Sequence, residues 1–197
     1  MKAYPERTEA LRLLRQAETM NPGLWVDHCL VVANCAEKIA LACGNMDGEK
    51  AWVLGLLHDI GRRAGVFHLR HVYEGYMYML SLGYPDAAKI CLTHSFSVQK
   101  LEDYIGKHDV TPDQRQTLES ALAACEYDDY DRLIQLCDSI GMATGAATLE
   151  ERMGDVKRRY GWYPQDKWDK NYELKAYFEQ KAGRSIDEIT AGIGVEG

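Results

Sequence analysis

Four residues in this sequence are of types that bind metal ions or move protons, and each stands where the chain is otherwise apolar. His28 lies in WVDHCLVVANCAEKIA, on or near the face that carries Val31, Val32 and Cys35. His58 and Asp59 close the apolar run AWVLGLLHDIG, and Asp138 interrupts RLIQLCDSIGMA. Titratable groups in such places are ordinarily paired or bound to a metal, because an unpaired buried charge is costly. Taken singly, His28 reads as a satisfied core histidine and Asp138 as a carboxylate paired with an arginine. Taken together, the four form a nitrogen and oxygen donor set suited to a divalent ion such as Fe, Mn, Zn, Ni or Mg. Adjacent helical residues point about 100° apart. At a frayed helix end His58 and Asp59 can still reach one ion, and the other ligands must come from elsewhere in the chain, with His28 and Asp138 as the candidates.

The elements that must position these residues are helices. Pro5 opens a helix carrying Ala10, Leu11, Leu14 and Ala17, and NPG at 21–23 is a turn. Val31, Val32, Cys35, Ile39 and Ala40 follow at near-helical spacing up to Gly44. Asp47 is placed to cap a third helix through Trp52, Leu56 and Leu57 to the His-Asp pair, and Gly61 and Gly65 bracket a loop. A helix from about His71 presents Tyr73, Met77 and Leu80 and stops at Gly83. Pro85 or Asp86 starts another that leads to His94. SFSVQKLEDYIGKHD reads as a short helix, and Thr111 with Pro112 opens the next. Asp128 or Asp129 starts a helix running through Leu133, Leu136 and Cys137 to Ile140, and two more fill 147–160 and 165–182. Strand-like alternation is nearly absent, so the expected fold is all-α: one compact multi-helix bundle, with a core at about 21–145 and C-terminal helices at about 147–190.

The chain of 197 residues suits one domain. Its net charge of -7 argues against nucleic acid or an anionic membrane as partner, which require a basic surface. A small anionic substrate remains compatible, since a bound ion or a few arginines can dominate one pocket. The six cysteines form no CxxC pair and read as free thiols in a reducing compartment. The N-terminus is too charged for a signal peptide and no window matches a membrane span, so a cytoplasmic location is expected.

The order His28, then His58-Asp59, then Asp138 on an apolar helix resembles the HD-domain superfamily of metal-dependent phosphohydrolases. Three local stretches carry the resemblance: DHCLVVANCAEKIA, LLHDIGR and LIQLCDSIG. It implies an all-α fold with His28, His58, Asp59 and Asp138 around a divalent metal. In two-metal members, further histidines fall between the His-Asp pair and the final Asp, and His71 and His94 occupy that interval; Asp59 would then bridge two ions. The chain is similar to the symmetrical diadenosine tetraphosphate hydrolases of this superfamily. In HDIG and HVYEG it is also similar to the HD-GYP cyclic dinucleotide phosphodiesterases. It departs from the latter at Ser95, where they carry a second His, and Gly83-Tyr84-Pro85 precedes His94 instead of following it.

The resemblance also implies a cation after HDIG. Arg62 and Arg63 stand there, and a guanidinium fork suits phosphate oxygens; the alternative is a charge facing a helix C-terminus. His68 reads as a loop residue near the substrate, His108 as a surface residue, and Glu74 as a solvated side chain on the face of His71. KRRY at 157–160 reads as a solvated helix face in preference to a polyphosphate site, and Trp162, Tyr163 and Trp168 as core or dimer contacts. The expected function is hydrolysis of a nucleotide or dinucleotide phosphate by a water that one or two divalent ions activate. Asp59 and Arg62 are the catalytic residues in that reading, Arg62, Arg63 and His68 the substrate-binding ones, and a homodimer is compatible with it. The alternatives are a weakly catalytic nucleotide-binding regulator on the same scaffold and a cyclic dinucleotide phosphodiesterase. A purely structural interaction module ranks last, since it leaves the four ligand candidates unexplained.

Overall fold

The structure, a computed structural model, describes residues 2–195. Its elements are α1 (Arg7–Met20), α2 (Trp25–Cys43), α3 (Gly48–Leu57), a 3-10 turn (Ile60–Ala64), α4 (Arg70–Ser81), α5 (Pro85–Thr93), α6 (Pro112–Ala124), α7 (Asp129–Asp138), α8 (Leu149–Tyr160), α9 (Gln165–Ala182) and α10 (Ile186–Thr190). Two-residue strands β1 (Gly141–Met142) and β2 (Gly145–Ala146) pair antiparallel. The fold is all-α. No helix of the described residues is long and apolar enough to cross a membrane.

Local chemistry sets the helix ends. Asp47 accepts from the Lys50 amide at the start of α3. Thr111, Asp128 and Thr148 each form a reciprocal capping box, at α6, α7 and α8. Pro85 and Pro112 sit in the first turns of α5 and α6. Gly44 ends α2 in the left-handed conformation.

The tightest pairs are α2 with α3 and α4 with α5, and α7 packs across α2, α3 and α5. Leu149, Met153, Leu174, Phe178 and Ile186 of the C-terminal helices join one apolar cluster with α1, α2, α3 and α7. A second cluster, including Leu69, Val72, Leu92, Phe96, Tyr104 and Leu118, lies beneath α6.

Four local expectations differ from the structure. Residues 95–109 do not form a helix: only Leu101–Asp103 make a 3-10 turn. Phe96, Leu101 and Tyr104 turn inward from irregular backbone, and Gly106 adopts φ +142, outside any right-handed helix. The stretch after Asp59 is not an open loop but the 3-10 turn. On α4, Met77 and Leu80 face outward and the buried positions are His71, Val72, Gly75 and Met79. The reason is backbone proximity: a Cβ on Gly61 would lie 1.9 Å from the His71 carbonyl oxygen and 2.5 Å from the Gly75 amide. The glycine face of α4, not its most apolar stripe, therefore docks on the turn. Finally, α7 ends at Asp138, two residues before Ile140, and α10 adds a short helix within the expected C-terminal region.

Candidate metal centre

Each of the six ligand candidates comes from a different place on the helical frame. His28 is in α2, His58 and His94 directly follow α3 and α5, His71 is in the first turn of α4, and Asp138 ends α7. Asp59 precedes the 3-10 turn with φ -103 and ψ 13. His58 and His94 use the carbonyls that a helix C-terminus leaves without partners. His58 Nδ1 donates to Gly55 O at 2.7 Å, and His94 Nδ1 to Cys91 O at 2.9 Å. His71 Nδ1 does the same to His68 O at 2.5 Å. A proton held on Nδ1 leaves the lone pair on Nε2, pointing inward.

The inward nitrogens converge. His28 Nε2 and His58 Nε2 are 3.2 Å apart, and Asp138 Oδ1 lies 3.0 Å from the first and 3.8 Å from the second. His71 Nε2 and His94 Nε2 are likewise 3.2 Å apart, with Asp59 Oδ1 at 2.9 and 3.5 Å. These are two sets that could hold a metal ion, His28/His58/Asp138 and Asp59/His71/His94. Asp59 faces both, since its Oδ2 is 3.9 Å from His58 Nε2.

The second set carries the test of fit. Both of its histidines spend their proton on a backbone carbonyl, so two lone pairs and a carboxylate oxygen meet with no hydrogen between them. Asp59 Oδ1 is buried and has no hydrogen-bond partner. Such a cluster is repulsive until a cation enters it. Two nitrogens each about 2.0–2.1 Å from one ion stand about 3 Å apart, which is the spacing seen here. The residues therefore fit a divalent ion.

Electrostatics agree with that fit. Burial lowers the His58 pKa to about 3, with Asp59 opposing, and His58 is only 1% exposed. Burial, reinforced by the Arg62 charge, lowers His71 as well. Both imidazoles thus stay neutral, as a ligand must. Burial pushes Asp59 up, but Arg62, His71 and His58 together outweigh it and hold the carboxyl well below the usual carboxylate range. Burial pushes Asp138 up, and the hydrogen bond and charge of His28 overcome it.

The structure ties the two ligand-bearing ends of α5 and α7 together. Gln135, one turn before Asp138, donates to Thr93 O at 3.1 Å. Thr93 Oγ1 donates to Asp131 Oδ1 at 2.8 Å, and Lys89 pairs with Asp131 Oδ2 at 2.6 Å. His94 and Asp138 are thereby held in one frame.

A cavity of about 600 Å³ opens over the cluster, lined by His28, Asp59, His71, His94 and Asp138, with His58 beneath them. Arg62 also lines it; its Nε donates to Asp59 Oδ2 at 2.5 Å. Arg63 is not brought there. It stacks on Tyr78, 4.0 Å from the ring centroid, because the 3-10 turn sends consecutive side chains to different faces. The His68 ring stands against Tyr160 outside the cavity lining, and its carbonyl is what orients His71. Glu74 pairs with Arg70, and His108 is exposed.

The far wall of the cavity differs from its sequence reading. Arg158, Arg159 and Tyr160 of the KRRY segment, together with Tyr163, line the cavity instead of forming only solvated or core surface. Tyr104, Arg152, Lys167 and Asn171 were not singled out from sequence, and all four line it too. For two of them a signal exists: Lys167, Asn171, Leu174 and Phe178 fall at i, i+4, i+7 and i+11, one face of α9.

Among known proteins, the family model for the HD domain matches residues 25–143. No curated protein and no solved structure gives a match.

Proposed function

The chain belongs to the HD-domain family, and from that premise we propose that it is a two-metal phosphohydrolase acting on a nucleotide or dinucleotide phosphate, of the diadenosine polyphosphate kind. HD domains bind divalent metals, and metal-dependent phosphohydrolase activity is what membership suggests. The observation that carries the two-metal reading is the paired arrangement of three-ligand sets with Asp59 between them.

In this reading His28, His58 and Asp138 hold one ion, His71 and His94 hold the other, and Asp59 serves both. When bound, such ions polarise a phosphoryl oxygen and lower the pKa of water. The protein's own part is to keep His58 and His71 neutral through burial and to aim His58, His71 and His94 through their Nδ1 hydrogen bonds. Arg62 keeps Asp59 ionised and turns its Oδ1 toward His71 and His94. Its guanidinium faces the cavity, where its remaining donors can offset charge on non-bridging oxygens. Tyr104 adds a buried wall beside His71, with ring centroids 6.2 Å apart, which limits water access. The C-terminal helices close the cavity from the other side, so we take the chain as one domain. A small phosphate substrate in the cytoplasm is the expected partner, with neither nucleic acid nor membrane required; a homodimer is compatible.

The test is metal content per chain combined with phosphate release from nucleoside mono-, di- and triphosphates, diadenosine polyphosphates and cyclic dinucleotides. Two ions per chain with turnover abolished by Asp59→Ala is the expected result. A protein that takes up no divalent ion even after supplementation would sink the reading.

A further inference from the structure

We infer that Lys167 and the groups beside it form a second phosphoryl-binding subsite, which selects substrates carrying at least two phosphoryl groups. This rests on the phosphohydrolase reading for its first subsite, the metal centre. The second subsite stands on α8, α9 and the loop after His94. Lys167 and the α8 and α9 wall lie outside residues 25–143, which the family model matches.

Lys167 Nζ reaches into the cavity and donates to the carbonyl of Ser95 at 2.8 Å, next to His94. An ammonium has three donors, and among the described residues no carboxylate lies within ion-pair distance of this one. A part-buried ammonium ordinarily finds an anion. Other polar atoms that line the same cavity also lack partners. Arg152 Nε and Ser97 Oγ are buried without a hydrogen-bond partner. Tyr163 Oη accepts from Asn171 Nδ2 at 3.0 Å, which leaves its own proton free to donate. Asn171 is 0% exposed, lines the same cavity and has its Oδ1 unpartnered. Four donors against one acceptor describe a ligand rich in acceptor oxygens, and the surplus positive charge makes it an anion. Asp155 is the one carboxylate this wall lends to the cavity, and three arginines already share it.

Charge balance sets the number of phosphoryl groups. Two divalent ions and the Arg62 guanidinium, set against Asp59 and Asp138, leave three positive charges, of which one phosphoryl dianion neutralises two. Lys167 then stays uncompensated unless a neighbouring phosphoryl of the same substrate lies on it. It is a binding and specificity residue, positioned beside the reacting group and apart from the bond that breaks.

The experiment measures binding, by calorimetry, of two uncleavable probes to the manganese-loaded protein: methylenebisphosphonate, with two phosphoryl groups, and methylphosphonate, with one. Lys167→Met is expected to weaken the bisphosphonate at least about tenfold, the loss of a charge-assisted contact, and to leave methylphosphonate within about twofold. Lys167→Arg, which keeps the cation, is expected to retain most of the bisphosphonate affinity and guards against a folding defect in the first variant. Because K167M leaves every metal-ligand candidate intact, chelation by the bisphosphonate is the same in both proteins and cancels. Equal bisphosphonate affinity in wild type and K167M overturns the subsite, as does an equal loss for both probes. Turnover separates the two readings. Lys167-dependent bisphosphonate binding without phosphate release from nucleoside diphosphates overturns the hydrolase reading alone. Phosphate release with no effect of K167M on either probe overturns the subsite alone.

Discussion

At the scale of single residues, one device recurs three times. His58, His71 and His94 each spend Nδ1–H on the carbonyl three residues earlier and so present Nε2 to the cavity. His28 is the exception: it sits within α2, where the backbone carbonyls are engaged, and its buried Nδ1 has no partner. Because the two sets have no residue in common and only Asp59 approaches both, they are separable. His71→Ala is expected to lower metal content from two ions per chain to one and to weaken the second ion more than about 100-fold, beyond the loss typical of an outer-shell change. Metal analysis after dialysis reads this directly, and two tightly held ions in the variant would show that His71 is not a ligand.

At the scale of elements, the position of Asp59 depends on backbone contact more than on side-chain packing. Gly61 lets the 3-10 turn rest on the backbone of α4, and Gly75 on α4 takes both the Gly61 amide and the Cys91 side chain of α5 against its bare backbone. Gly61→Ala puts a methyl where the His71 carbonyl already is. Overpacking of this kind costs about 1–3 kcal/mol or more. The variant is expected to unfold at correspondingly lower urea and to lose metal from the Asp59/His71/His94 set. Unfolding at the wild-type urea concentration would show that the turn is not held this closely. This contact was legible in the sequence only as HDIG followed by a helix; the partner glycine was not, because nothing local to Gly75 says what will press on it. The outward Met77 and Leu80 follow from the same contact.

At the scale of the whole molecule, neutral buried imidazoles couple stability to pH. His58 and His71 have folded pKa values below the unfolded value of 6.5. Below 6.5 the unfolded chain binds more protons, so stability rises with pH and is lost as pH falls, down to about 3 for His58, by up to about 1.4 kcal/mol per unit for each such histidine. Asp59 and Asp138, whose pKa values are depressed, add to the loss below about pH 4, where the unfolded carboxylates begin to protonate. Thermal unfolding of the chelator-treated protein is expected to show a flat Tm from pH 8 to 7 and a steady fall below 6.5; a Tm unchanged down to pH 5 would mean that these imidazoles are not held neutral.

The sequence by itself determined the all-α class, the helix starts at Asp47 and Thr111, and the six ligand candidates that fold into one cluster. It could do so because capping is local and because a titratable side chain in an apolar run has few physical explanations. Only the tertiary structure decided how those six divide into two sets, that Arg63 leaves the site while Arg62 stays, and that α8 and α9 bring Arg152, Lys167 and Asn171 to the cavity. A lysine or arginine on a charged helix looks the same in sequence whether it meets water or a pocket. What it faces is set by how distant segments pack, and that choice is made by the shared apolar core through Leu174 and Phe178.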